Sequence, residues 1–153
     1  MDDAGIYARE VPGLERAVQV GIAGGRVISI SFPREPGPGA RREHGVLDRI
    51  EAYLDGDSDD FDDVTVALTV PTDQRAVLEA LRSVPYAESV TVEGLTRMAA
   101  GLDAEDAEAQ ETARRALREN PAPLLIPDHR VSDADGAAPA EVVDRLRAIE
   151  GIA

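Results

Sequence analysis

Cysteine, tryptophan and lysine do not occur in this chain of 153 residues, and only 3% of its residues are aromatic. Without cysteine the chain can form no disulfide, no thiolate nucleophile and no metal site with cysteine ligands. Because large rings are scarce, the core has to be built from Val, Leu, Ile and Ala. The length allows one compact domain or two small domains that share an interface.

Long apolar runs are also missing from the sequence. No run is long enough to span a bilayer, and the acidic, charged N-terminus is not typical of a secretory signal peptide. We therefore expect a cytoplasmic protein that does not interact with a membrane.

Negative charge is abundant. Thirty acidic residues face sixteen basic ones, all of them arginine, and the formal net charge is −14. This balance predicts adaptation to a salt-rich cytoplasm, in which carboxylates hold hydration and salt screens their repulsion. The alternative is an acidic protein from a GC-rich genome, which favours arginine codons. In either case the field of the molecule repels DNA unless salt screens it.

The first half of the chain contains signals for a hairpin and a helix. Residues 15–23 and 26–32 alternate apolar and polar side chains around Gly24-Gly25, which predicts a β-hairpin. Residues 44–54 place their apolar side chains on one face of a helix.

The middle of the chain is predicted to pass from an acidic linker to a helix. Residues 55–63, DGDSDDFDD, lack the closing glutamate and flanking helices of an EF-hand, so a solvated linker is predicted. Residues 63–70 are expected to form a short strand. Thr72 is the predicted N-cap of a helix over 74–84.

The second half is predicted to be helical. A short helix over 92–100, closed by Gly101, precedes a longer helix over 104–119 for which Asp103 is the predicted cap. A short helix, a turn and a second helix in this order predict a helix-turn-helix arrangement. A final amphipathic helix is expected over 139–151.

The string NPAPLLIPDHRV, residues 120–131, carries a family resemblance. It follows PYAES, residues 85–89, at a characteristic distance, and the segments LDRIEAYLDGDSDDFD and TDQRAVLEALRSVPYAESVT precede it in order. In these motifs the chain resembles the O6-alkylguanine-DNA alkyltransferases, also called methylated-DNA–protein-cysteine methyltransferases. The resemblance covers nearly the whole chain.

The resemblance implies an α/β fold with two domains. Residues 1–63 would form a small RNase H-like N-terminal domain with the acidic linker. Residues 64–153 would form an alkyltransferase-like winged helix-turn-helix domain, which in the family binds the DNA minor groove and flips the damaged base into a pocket.

The resemblance also implies a site whose acceptor has changed. In the family, the residue between IP and HRV is the cysteine that takes the alkyl group, and here that position is Asp128. The family's activating histidine and glutamate correspond to His129 and Glu150. Its asparagine, which links the helix-turn-helix to the site, corresponds to Asn120. Transfer to cysteine is therefore excluded.

Features that the family uses to bind DNA are altered. The tyrosine that rotates the target phosphate falls at Val92, the arginine finger aligns near Glu111, and residues 132–141 lack the family's Tyr/Ser-Gly-Gly pocket loop. The predicted recognition helix carries five acids against three arginines, the reverse of the balance expected of a helix that meets phosphates. The DNA-contacting positions that the resemblance assigns are Thr91, Val92, Arg114, Arg115, Arg118 and Arg130.

Three hypotheses follow. The chain could bind duplex DNA containing O6-alkylguanine at high salt as a lesion sensor, as cysteine-less alkyltransferase-like proteins do. It could instead be a pseudoenzyme that kept the fold as a scaffold for a protein partner, such as a repair protein. In the third, Asp128 accepts the alkyl group as an ester, which water activated by His129 and Glu150 hydrolyses.

A purely structural interpretation is also open. Asp128 would cap a helix that begins at His129, and His129 and Glu150 would form a buried hydrogen-bonded pair. No spacing supports a metal site, no cofactor is implied, and a monomer is expected.

Overall fold

The computed structural model describes residues 4–152, which form a mixed α/β fold. A three-stranded antiparallel sheet is followed by helices. In chain order the elements are β1 (Gly5–Val11), β2 (Arg16–Ala23), β3 (Arg26–Ser31), α1 (Gly45–Leu54), α2 (Thr72–Leu81), α3 (Val92–Met98), α4 (Ala107–Arg118), a 3-10 turn (Asp128–Arg130) and α5 (Ala140–Glu150). The predicted α/β class is confirmed, whereas the division into an RNase H-like and a winged helix-turn-helix domain stays a prediction.

The sheet contains the predicted hairpin and one additional strand. β2 and β3 are antiparallel and joined at Gly24 and Gly25, whose φ angles of 59° and 73° favour glycine. β1, to which the sequence analysis assigned no strand, pairs with the other side of β2. Its Tyr7, Ala8 and Val11 are buried.

The outer edge of β3 is covered by two separate segments. The Val27 amide donates to the Thr65 carbonyl (3.0 Å), and further along the strand the Ile30 amide donates to the Pro121 carbonyl (2.9 Å). Residues 63–70 therefore contact β3 at one position and do not run along it, so the strand predicted over 63–70 is wrong. That segment makes only a one-residue parallel bridge, between Val66 and Val27.

Two predicted helix caps are also wrong. α2 begins at Thr72 itself, and the residue before it, Pro71, supplies a backbone carbonyl to the Arg75 amide (2.9 Å). Asp103 accepts from the Glu105 amide in a turn that precedes α4 (2.9 Å). The helix was predicted to begin at residue 104 but begins at Ala107. Asp106 is its actual cap, since its side chain accepts from the Glu108 amide.

The acidic segment 55–63 is ordered by specific contacts. Phe61 is fully buried and packs against Tyr53, while Asp59 accepts two hydrogen bonds from the Arg49 guanidinium at 2.9 and 2.7 Å. Asp60 forms an ion pair with Arg130. Phe61 and Asp59 therefore anchor the segment to the fold, while most of its other residues, such as Asp57 and Asp62, are exposed to solvent.

One hydrophobic core runs through the molecule. The sheet contributes Val20, α1 contributes Ile50, α2 contributes Leu81, and α4 and α5 contribute Leu117 and Leu146, all fully buried in the same cluster. Among residues 4–152, no helix is sufficiently long and apolar to cross a bilayer.

Candidate functional site

The C-terminal end of α5 meets the 3-10 turn in a fully buried contact. The Nε2 atom of His129 lies 2.6 Å from Oε2 of Glu150, and both side chains are inaccessible to solvent. The hypothesis of a buried His129–Glu150 pair is confirmed. Arg147, also on α5, donates from Nε to the His129 carbonyl (2.9 Å) and from Nη2 to the Val131 carbonyl (2.8 Å), so the backbone of the turn is held as well.

Arg130 forms an ion pair with the same glutamate. Its Nε and Nη2 atoms donate to the two oxygens of Glu150 at 2.9 and 3.1 Å, and its Nη1 donates to the Val84 carbonyl (2.7 Å). The side chain is only 3% exposed. Arg130 is therefore a buried structural cation whose guanidinium is occupied within the protein, and the predicted DNA contact has no exposed surface at this residue.

Glu150 also accepts hydrogen bonds from two residues far from it in the sequence. The Tyr53 hydroxyl of α1 donates a short hydrogen bond to Oε2, and the Ala87 amide donates to Oε1 (2.9 Å). Burial alone would raise the pKa of Glu150, but hydrogen bonds from His129, Arg130 and Tyr53 outweigh it and lower the pKa to about 2. Burial, together with the bond to Glu150, raises the pKa of Tyr53, which therefore remains a donor.

Asp128 lies next to this network and is 1% exposed. Its Oδ2 accepts from Nδ2 of Asn120 (3.1 Å) and from the Ala137 amide (2.9 Å). Its Oδ1 is buried with no hydrogen-bond partner among residues 4–152. Burial raises the pKa of Asp128, although its two hydrogen bonds act in the opposite direction. Pro127, not Asp128, is the N-cap of the 3-10 turn, so the proposed capping role of Asp128 is wrong.

Asn120 connects the end of α4 to this site, as the resemblance implied. Its Nδ2 donates both to Asp128 and to the Ile126 carbonyl (2.9 Å), while its Oδ1 accepts from the Ala122 amide (3.0 Å). One amide side chain therefore uses its donor and acceptor to fix the turn that carries Asp128.

The segment from 132 to 138, which we call the covering loop, closes the site. Gly136 lies so close to Asp128 that a Cβ atom at this position would overlap the carboxylate. The Ala137 amide donates to the same carboxylate. At the other end of the loop, Oδ1 of Asp133 accepts from the Val92 amide at the start of α3 (2.8 Å). The covering loop thus separates Asp128 from solvent.

The two positions predicted at the start of α3 serve the helix itself. The Thr91 hydroxyl accepts from the Gly94 amide (3.0 Å) and caps α3. Val92 is buried in the core, so its side chain presents no surface for the predicted DNA contact in the free protein.

The three arginines of α4 lie on its accessible side. Arg114 donates to the backbone carbonyl of Asp133 (3.3 Å), Arg118 pairs with Glu111 (3.1 Å), and Arg115 is exposed without an ion pair among the described residues. An open depression of about 360 Å³, which we call the α4 depression, lies between α4, the covering loop and α5. Its lining consists of Arg114, Arg118, Ser132, Asp133, Ala134, Asp135 and Arg147.

No group of three or more His, Cys, Asp or Glu side chains with the arrangement of a metal site occurs within residues 4–152. Tyr53 and the covering-loop residues Asp133 and Gly136 belong to the site but were not predicted from the sequence. Tyr53 had a signal, because it lies beside the apolar face of α1. The loop contacts had none, because they depend on how distant segments meet.

Comparison with known proteins identifies the family. Residues 72–149 match the model for the 6-O-methylguanine DNA methyltransferase DNA binding domain. A methylated-DNA–protein-cysteine methyltransferase from Methanopyrus kandleri is 32% identical over 117 residues, which cover 72% of this chain and 81% of that protein. A second, from Methanothermobacter thermautotrophicus, is 34% identical over 113 residues, or 70% of this chain and 60% of that protein.

Solved structures show the same fold. The Mycobacterium tuberculosis OGT in complex with DNA aligns with a TM-score of 0.71 at 18% identity, covering 95% of this chain and 90% of that one. The O6-methylguanine-DNA methyltransferase from Pyrococcus kodakaraensis aligns with a TM-score of 0.70 at 20% identity, covering 97% and 100%. The chain belongs to the O6-methylguanine DNA methyltransferase family. It is a member without any cysteine, which fits a variant that does not transfer alkyl groups.

Proposed function

We propose that this protein is a non-transferring alkyltransferase homologue that binds duplex DNA and acts as a sensor of O6-alkylguanine. The observation that carries the proposal is the combination of a matched DNA binding domain with three arginines on the accessible side of α4. Arginine side chains neutralise backbone phosphates, and this term dominates nucleic-acid affinity. The net charge of the protein, −14, repels DNA, which is also a polyanion. High salt screens this repulsion and is therefore the condition in which we expect binding.

Repair chemistry at Asp128 is not part of the proposal. The carboxylate lies under Gly136 and bonds to Asn120 and Ala137, so an incoming guanine would have to displace the covering loop before reaching it. Carboxylate is also a weaker nucleophile than thiolate.

The experiment is a titration of labelled duplexes, with and without O6-methylguanine, in molar potassium chloride, followed by fluorescence anisotropy. We expect tighter binding to the lesion duplex. Arg115→Ala should weaken binding to both duplexes and reduce the slope of log K against log salt by about 1, because one phosphate contact is lost.

Arg26→Ala is the matched control. Like Arg115, Arg26 is exposed and has no ion pair among the described residues, but it lies at the β2–β3 turn. Equal losses for the two variants would show that only overall charge matters. Identical affinity for both duplexes would remove the sensor role, and absence of binding would remove DNA binding altogether.

A second candidate is a pseudoenzyme scaffold that binds a protein partner, such as a repair protein, without binding DNA. It is favoured by the burial of Val92 and by the pairing of Glu111, at the arginine-finger position, with Arg118. Failure of every variant to bind either duplex would select this candidate.

A further inference from the structure

The covering loop places negative charge beside the arginines of α4. Asp133 and Asp135 both line the α4 depression, together with Arg114 and Arg118. Asp133 also supplies its backbone carbonyl to Arg114. The loop therefore already uses Arg114 through a backbone carbonyl and brings two carboxylates into the same depression, where their negative potential opposes that of a phosphate.

The loop is fixed at both of its ends by hydrogen bonds. At one end Asp133 accepts from the Val92 amide, and at the other the Ala137 amide donates to Asp128. Next to the first contact, a parallel bridge joins Val131 to Val90. The carboxylates are thus held in position beside α4, because the loop between these anchors is short.

We propose that the covering loop is an autoinhibitory element that competes with DNA phosphates for the arginine side chains of α4 and must move away when a duplex binds. The inference rests on the proposed DNA binding and adds its regulation. The same movement uncovers Asp128, since Gly136 and Ala137 belong to the loop. A single movement of the covering loop would then expose both Asp128, at the position of the family's acceptor, and the arginines of α4.

Three variants separate the charge of the loop from its anchoring. Asp133→Asn removes the charge but keeps an oxygen that can accept from the Val92 amide. Asp133→Ala removes both. Asp135→Asn removes charge from a residue whose side chain makes no hydrogen bond or ion pair within residues 4–152, so the fold is expected to be retained even if Asp133→Ala is unstable. Asp57→Asn and Asp57→Ala, at an exposed position remote in sequence, are the charge-matched controls.

Duplex affinity is measured by anisotropy in the full-length chain. We expect Asp133→Asn and Asp135→Asn each to bind the duplex about threefold more tightly than the Asp57→Asn control, because each removes one negative charge from beside the α4 arginines, an effect of the order of an exposed charge–charge interaction. Asp133→Ala should bind the duplex more tightly than Asp133→Asn, because it also releases the loop from α3. Equal affinities for the loop variants and their Asp57 controls would overturn the proposal.

Amide exchange of Ala137, followed by NMR, reports on the loop without relying on affinity. We expect the amide to be protected in the free protein and to exchange at least about tenfold faster when the duplex is saturating or Asp133 is replaced by alanine. Unchanged or slower exchange with bound duplex would contradict displacement of the loop.

The two proposals fail in different ways. Binding without lesion preference, but with tighter binding by the loop variants, removes the sensor role and leaves the autoinhibitory loop. Binding only by the loop variants supports autoinhibition directly. Absence of binding in the parent and in every loop variant overturns both, because the loop is then not what keeps DNA away.

Discussion

At the scale of single residues, two buried carboxyl groups respond to their surroundings in opposite ways. Glu150 accepts from Tyr53, His129, Arg130 and a backbone amide, and its pKa falls to about 2. Because the unfolded-state pKa is about 4.3, its contribution to stability is present above that pH and is lost as the pH falls towards 2. Asp128 has two donors and one oxygen without a hydrogen-bond partner in the described part of the chain, and burial raises its pKa.

Asp128→Asn is expected to stabilise the protein at neutral pH. Folding raises the pKa of this acid, so the protein loses stability as the pH rises from about 4, the unfolded-state pKa, through the folded-state pKa. Asparagine keeps the oxygen that accepts from Asn120 and Ala137 and carries no charge. The advantage over the parent, measured by urea unfolding from pH 3 to 8, should be absent at pH 3, grow with pH and then level off.

Asp57→Asn is a suitable reference for this pH series, because Asp57 is exposed. It should show little pH-dependent difference from the parent. An Asp128→Asn protein that is less stable than the parent at pH 7 would mean that the buried carboxylate is stabilised by interactions other than its two hydrogen bonds.

At the scale of secondary structure elements, Tyr53 connects α1 to α5. Tyr53→Phe removes the donor to Glu150 without opening a large cavity, and loss of a hydrogen bond to a charged group costs about 2 kcal/mol. Urea unfolding at pH 7 measures this loss. Tyr86→Phe is the matched control, because among the residues the structure describes its hydroxyl makes only a long bond, to the Ile149 carbonyl (3.4 Å). Similar losses for both variants would assign no special role to Tyr53.

The elements also show what sequence patterns could and could not provide. The β2–β3 hairpin, α1 and the order α3–α4 follow from local periodicity and from Gly24-Gly25. The His129–Glu150 pair followed from the family resemblance, in which these positions correspond to the activating histidine and to a glutamate on the last helix. β3's shared edge and the contact of Gly136 with Asp128 could not be predicted, because both depend on segments far apart in the chain.

At the scale of the whole molecule, the charge of −14 is expected to make stability depend on salt. Carboxylates repel one another over the surface, and potassium chloride shortens the range of this repulsion to about 3 Å at 1 M. The melting temperature at pH 7 should therefore rise between 0.05 and about 2 M potassium chloride, a range in which long-range repulsion is screened.

The same series at pH 4, where many carboxylates are protonated, is the control for this prediction. The rise should be smaller there, because less charge remains to be screened. A melting temperature that falls with salt at pH 7 would show that ion pairs such as Arg49–Asp59, rather than repulsion, dominate the electrostatics of the surface.

The way β3's edge is closed has a consequence for synthesis on the ribosome. The Ile30 amide cannot form its hydrogen bond until Pro121, about ninety residues later in the chain, has been synthesised. The Val27 amide likewise depends on Thr65. Until those residues emerge, the nascent sheet presents an open strand edge, the feature most prone to pair with another chain. A truncation ahead of residue 121 would leave part of that edge exposed permanently, so the N-terminal half is poorly suited to exist alone.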